Sequence, residues 1–279
     1  GEGAAMMRHL AFLIGVMTLL AVVPSSFAAP KAELWSLWEA HDPAAELRVD
    51  HQPWNRFLAA YLDTAHPSGI NRVRYGAVNE EDRALLEGYV SALEKTVVSG
   101  LQRDEQKAYW INLYNAVTVR TILRHYPVES IRAIKISPGL FASGPWGKKL
   151  VTVEGEEISL NDIEHRILRP LWQDNRVHYA VNCASLGCPN LLPEAFTADN
   201  SERLLESAAR AYVNHPRGAE LQDGRLMVSS IYEWFKEDFG GSRQGVIEHL
   251  RRYAEEPLAS GLKSFTGKVK DRYDWSLNE

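Results

Sequence analysis

The chain is 279 residues long and poor in cysteine, with only two. So few cannot staple a small disulfide-held scaffold, and a packed core must hold the fold. Basic clusters are missing as well. Lys and Arg number 31 against 36 Asp and Glu, for a formal net charge of −5 and a pI of about 6.0. That balance argues against a nucleic-acid partner. Beyond residue 30 there is no internal repeat, low-complexity tract or Pro/Ser linker to divide the chain. Aromatic residues, by contrast, are plentiful: eight Trp and eleven Tyr fit a well-filled core with some rings left to line a groove.

The longest apolar run, residues 10–23, lies at the N-terminus. Arg8 and His9 precede it, and "PSSFA" follows, with Ser26 and Ala28 at the small-residue positions of a cleavage site. A short charged flank, an apolar core and a small-x-small exit describe a secretory signal peptide. The run falls short of the ~20 residues that span a bilayer. The expectation is cleavage after Ala28, a periplasmic or secreted protein, and no stable membrane insertion once the signal is gone. The residues before Met7 read as an alternative start and are set aside. Residues 29–100 then form a helical lead-in packed on the core, with 29–49 loosely attached, and residues 101–279 form the main domain.

Periodicity predicts helices at 53–65, 79–97, 103–126, 201–215, 231–239 and 243–254. Ser159 and Asp162 form a capping box that opens a further helix, "LNDIEHRILR". Hairpins are expected near Gly155 and about "QDGR" (222–225), and short strands at 70–76 and 176–182. The terminal "KVKDRYDWSLN" reads as extended. Helices outweigh strands, which predicts a single helix-rich α+β domain with a small, mainly antiparallel sheet.

Both cysteines fall in "HYAVNCASLGCPNL" (178–191). Four readings stand open: a disulfide, a zinc site with His178, two buried thiols, or Cys183 as a nucleophile at a strand end, activated by a nearby histidine. Of the nine histidines, His165 and His178 are those that loop or helix-end positions leave unexplained. His165 lies about 200° from Ile163 on an ideal helix, off the apolar stripe. His178, on an extended strand, would lie roughly 16 Å from Cys183. In the long helix, Glu105 and Asn112 share a face and Asn115 lies nearby. Such polar groups in an apolar helix either tie down neighbouring loops or serve catalysis.

Taken together, "DEQKAYWINLYNA", "ISLNDIEHRILR", "HYAVNCASLGCP", "YEWFKEDFG" and the terminal "YDWSLN" resemble domain-of-unknown-function family 547, from about residue 101 to the C-terminus. The family looks related to papain-like and transglutaminase-like cysteine hydrolases. Because His165 precedes Cys183 here, a papain-like core would have to be permuted. The resemblance implies Cys183 as nucleophile, His165 as base and Glu105 or Glu164 as orienter, Glu105 approaching from the better direction. Asn112, Asn115, Asn182 and the Cys183 backbone N–H would support an oxyanion. Cys188 matches a position that is serine in some members.

The expected activity is that of an exported thiol hydrolase or acyltransferase acting on an amide or peptide bond, with no cofactor and no metal. A non-catalytic module binding peptide or glycan in an aromatic groove is the alternative, and a redox-active Cys183–Cys188 pair is a third. For the enzyme, His165 should reach the Cys183 sulfur, Glu105 should meet the other ring nitrogen, and Cys188 should stand apart.

Overall fold

The structure is a computed structural model and describes residues 29–279. The expected signal peptide at 1–28 lies outside the described residues. The chain runs through α1 (Gln52–Tyr61), a two-residue pair β1 (Leu62–Asp63) and β2 (Arg72–Val73), α2 (Glu80–Glu94) and α3 (Arg103–His125). A hairpin of β3 (Val151–Val153) and β4 (Glu156–Ile158) follows. Next come a π-helical segment (Asp162–Leu168) continuing into α4 (Arg169–Trp172), then α5 (Val177–Ala180) and α6 (Ser201–Val213). The last part holds β5 (Ala219–Gln222), β6 (Arg225–Ser229), α7 (Ile231–Trp234), α8 (Arg243–Tyr253), α9 (Leu258–Lys263) and β7 (Val269–Arg272). This is the helix-rich α+β architecture expected. Its largest sheet has the order β5-β6-β7, antiparallel then parallel.

Local chemistry explains most boundaries. Asn79 caps α2 by accepting from the Asp82 N–H at 2.8 Å, with Glu80, Glu81 and Asp82 in the first turn, where the helix dipole favours acids. Ser159 and Asp162 bond each other's backbone N–H reciprocally, at 2.8 and 3.1 Å, as a capping box should. Both hairpins turn on a pair of positive-φ residues, Glu154–Gly155 and Asp223–Gly224. Turns of that hand match the twist of the flanking strands.

α3 is the spine of the molecule. From Glu105 to Leu123 every residue is buried, the condition of a helix with neighbours on all sides. Several of its polar side chains are accordingly partnered, while Thr118 Oγ1 and Trp110 Nε1 have no hydrogen-bond partner among the described residues. Gln106 donates to the Ala40 and Val98 carbonyls, Lys107 meets Asp174 at 2.8 Å, and Arg120 donates to the Leu150 carbonyl. Around it packs a large core drawn from α1, α2, the β3–β4 hairpin and the π-helical segment. A second apolar cluster joins α6, α8 and the β5–β6–β7 sheet.

Residues 29–49 are mostly exposed, as expected of a loosely packed lead-in, but are pinned to the core at a few points. The Glu33 and Trp35 N–H groups donate to the His165 and Arg166 carbonyls at 2.9 and 3.0 Å, and Trp38 is buried edge-on against Trp110. Residues 176–182 are not a strand. Asp174 accepts from the Arg176 N–H and starts the single turn α5. Val177–Asn182 is buried throughout, so its alternation of apolar and polar residues never marked an inside and an outside.

Candidate active site

The π-helical segment decides where His165 points. Its hydrogen bonds span five residues instead of four, so the 100° step of an ideal helix no longer applies. His165, expected off the apolar stripe, is instead buried at 5 % exposure, beside Glu164 at 8 %. α5 brings His178 to the same place, and the turn at Lys236–Phe239 brings Asp238.

These side chains form a closed ring with Arg169. The Arg169 Nε donates to Asp238 at 2.6 Å, and Asp238 meets His178 Nε2 at 2.7 Å. His178 Nδ1 faces Glu164 at 3.7 Å, and Glu164 faces His165 Nε2 at 3.8 Å. Arg169 closes the circle, its guanidinium donating to His165 Nδ1 at 3.0 Å. Phe235 lies against the ring, with centroid distances of 4.3 Å to His178 and 5.7 Å to His165.

Burial and neighbours set the charges. Burial alone would lower the His178 pKa, but the bonds to Asp238 and Glu164 outweigh it and hold this imidazole above the ordinary value, favouring the cation. Burial pushes His165 down to about 4, and the Arg169 cation presses the same way, so it is neutral near pH 7. Its Nδ1 accepts from Arg169, which leaves the ring proton on Nε2 toward Glu164. Burial opposes ionisation of Glu164, yet the two imidazoles and Arg169 bring it to about 2. Asp238 is likewise held well below the carboxylate range by His178 and Arg169, against the effect of burial.

Glu164, His165 and His178 line a cleft of about 440 Å³ whose walls include Tyr114, Trp146, Trp234, Phe235, Tyr273 and Trp275. Cys183 and Cys188 lie in the same wall and are joined by a disulfide, with Cα atoms 6.3 Å apart. Cys183 is the more accessible residue, half-buried where Cys188 is buried. The Tyr273 hydroxyl lies 3.1 and 3.0 Å from the two sulfurs, and Ser185 Oγ lies 3.1 and 3.2 Å away. Burial raises the Tyr273 pKa far above its usual value, so it stays a neutral phenol. The C-terminal segment straps this loop down. Leu186 and Gly187 N–H groups donate to the Ser276 and Asp274 carbonyls, both at 2.8 Å. A Cβ at Gly187 would stand 2.9 Å from the Asp274 nitrogen, so the strap needs glycine there.

The structure therefore brings together Cys183, His165, His178 and Glu164, and leaves the other expected residues elsewhere. Glu105 does not orient His165. Its carboxylate accepts from the Val49 N–H at 3.0 Å and from Arg48 at 3.1 Å, tying the lead-in to α3. Asn112 exchanges two bonds with the Phe196 backbone, at 2.8 and 3.0 Å. Asn115 spans the Ala180 carbonyl and Asn182 N–H, at 3.0 and 2.8 Å. Asn182 holds the Pro189 carbonyl and Ala184 N–H, both at 2.9 Å. All three asparagines satisfy buried backbone in place of an oxyanion. Cys188, expected to stand apart, is bonded to Cys183. Asp238, Arg169 and Tyr273 escaped sequence reasoning, although Asp238 sits in the quoted "YEWFKEDFG". Among the described residues no group of three or more His, Cys, Asp or Glu side chains is arranged to hold a metal ion.

Residues 98–213 match the family model described as "Protein of unknown function, DUF547". The match supports the resemblance read from the sequence over a shorter span than 101–279. It includes α3, the π-helical segment and the cysteine loop, while Asp238 and Tyr273 fall outside it. No curated protein and no solved structure matches the chain.

Proposed function

We propose that the aromatic cleft takes a peptide- or amide-bearing ligand and that Cys183 is the nucleophile of an exported thiol-dependent hydrolase or acyltransferase, active once the Cys183–Cys188 bond is reduced. The observation that carries this reading is the shared cleft: Cys183, the more accessible cysteine, lies in the same wall as His178, whose Nε2 is bonded to Asp238. A dithiol reductant would open the disulfide to two thiols. A cationic imidazole beside the site then favours the Cys183 thiolate. The thiolate attacks the ligand carbonyl and forms an acyl-thioester. The leaving amine takes the proton from His178 Nδ1, and water or a second amine releases the acyl group. In this assignment His178, whose pKa its two carboxylate neighbours raise, replaces His165, which burial keeps neutral, and Asp238 replaces Glu105 as orienter. The likeness to papain-like enzymes belongs to this proposal.

A second reading, a non-catalytic binding module, draws support from the disulfide itself, which leaves no free sulfur at the cleft. The two readings part on one measurement. In the proposed enzyme, reduced Cys183 reacts with iodoacetamide near neutral pH faster than an unstructured thiol, and His178→Asn removes the excess rate. Reaction no faster than an unstructured thiol, together with ligand binding that survives Cys183→Ala, decides for the module.

A further inference from the structure

Two side chains on this protein stand almost wholly in solvent although they are strongly apolar: Leu140 at 96 % exposure and Phe141 at 100 %. They occupy the tip of the loop "SPGLFASGPWG" (137–147). The base of that loop is stitched. The Ser137 hydroxyl donates to the Gly144 carbonyl at 2.7 Å and accepts from the Gly147 N–H at 2.9 Å, and the Gly144 N–H reaches the Arg132 carbonyl at 3.3 Å. At Gly144, where φ is +69°, a Cβ would stand 2.2 Å from the Trp146 ring. The backbone is thus shaped to hold Leu140 and Phe141 outward instead of folding them in.

Between Glu129 and Glu154 the charged residues of the loop and its flanks are all basic. Residues 130–153 contain Arg132, Lys135, Lys148 and Lys149 and no Asp or Glu. Lys149 is paired with Asp162, and Arg132 lies over the Trp275 ring at 5.2 Å. Lys135 and Lys148, one before and one after the loop in sequence, are exposed. An apolar tip flanked by cations matches an anionic lipid surface, where the tip enters the acyl boundary and the cations meet headgroups. A protein groove for two apolar side chains would not call for cations of one sign on both flanks.

We propose that the Leu140–Phe141 finger docks the protein on an anionic lipid surface. Phe141 and its neighbours Ala142 and Ser143 also form part of the cleft wall, so docking sets the mouth of the cleft at the bilayer surface. This inference concerns the finger and stands whether or not Cys183 is a nucleophile.

The test is amide hydrogen exchange on the full chain, read at residues 139–144. Vesicles of phosphatidylcholine mixed with phosphatidylglycerol should protect these amides, and phosphatidylcholine alone should not. Leu140→Ser combined with Phe141→Ser should weaken this protection by at least about tenfold in apparent affinity. Lys135→Glu with Lys148→Glu should weaken it by about fivefold or more per site, with a matching loss at high salt. All four positions are exposed, so unchanged exchange in α3 verifies that the variants are folded. Because the readout is local, capture of vesicles by another part of the chain cannot imitate it. No protection on anionic vesicles, or protection that both double variants retain, overturns the proposal. Protection that appears without lipid as protein concentration rises overturns it in favour of self-association through the finger.

Discussion

His178 Nε2 meets the Asp238 carboxylate at 2.7 Å, although 60 residues separate them along the chain. The contact places a cation-favouring imidazole at the wall of the cleft that also holds Cys183. Its energetics are open to direct measurement. Asp238→Asn should lower the His178 pKa, observable by NMR of the imidazole nitrogens, and should cost about 3–5 kcal/mol because a buried charge loses its partner. The pH dependence follows from the raised folded value. The His178 contribution is fully present below pH 6.5 and is lost as pH climbs through the folded pKa. The penalty of Asp238→Asn should therefore be larger at pH 6 than at pH 9. A penalty independent of pH would mean that His178 is not the proton carrier of this pair.

On the acid side other histidines govern. His51, His165 and His249 are each pushed down to about 4, chiefly by burial. They stay neutral in the folded protein while their unfolded counterparts take up protons below pH 6.5. Stability should then fall between pH 6.5 and 4 with a slope of up to ~1.4 kcal/mol per pH unit for each group. Urea midpoints measured through that window should drift steadily downward. His51→Gln, which removes one such group, should flatten the drift.

Reduction should open the Cys183–Cys188 bond without unfolding the protein. The two residues are only five apart, so loop-closure entropy limits the stability lost to about 2 kcal/mol. After reduction Cys183 should alkylate faster than Cys188, because it is the more accessible of the two. Mass mapping that finds both thiols free before any reductant would remove the disulfide, and with it the redox-active reading.

Glu105 offers a test that separates structure from chemistry. Glu105→Ala leaves the Val49 N–H and Arg48 without their acceptor and should cost about 1–3 kcal/mol. The alkylation rate of reduced Cys183 should not change. A rate that falls with Glu105→Ala while the protein stays folded would restore Glu105 to the reactive set.

Asn115→Ala should act differently. It frees the Ala180 carbonyl and the Asn182 N–H immediately before Cys183, at a cost of about 1–3 kcal/mol. It should also loosen the cysteine loop, seen as faster exchange at residues 181–184. Asn112→Ala should cost a similar amount but leave those amides unchanged, since its partner is Phe196.

The signals that proved readable in the sequence are local. The capping box at Ser159 and Asp162, the acids opening α2, the periodic stripe of α6 and the paired turn residues at both hairpins each act within a few residues. Their structural consequences therefore follow from short stretches of sequence. α3 was legible as a helix for the same reason, and its polar residues announced a need for partners. They did not say which partners, because Glu105, Asn112 and Asn115 bond to segments 56, 84 and 65 residues away. The burial of His165 was misread because a π-helical segment changes the angle between successive side chains, and periodicity assumes that angle.

What the sequence by itself determined is the helix-rich α+β class, the main helices and hairpins, and the short span holding both cysteines. These rest on backbone propensity and on the apolar pattern of each segment. What only the tertiary structure decided is the membership of the site. Asp238 and Arg169 close the ring against which Phe235 lies, Tyr273 reaches the sulfurs, and Glu105 is drawn away to Arg48. A charged side chain takes its partner by proximity and burial in the folded state, and spacing along the chain carries no record of that choice.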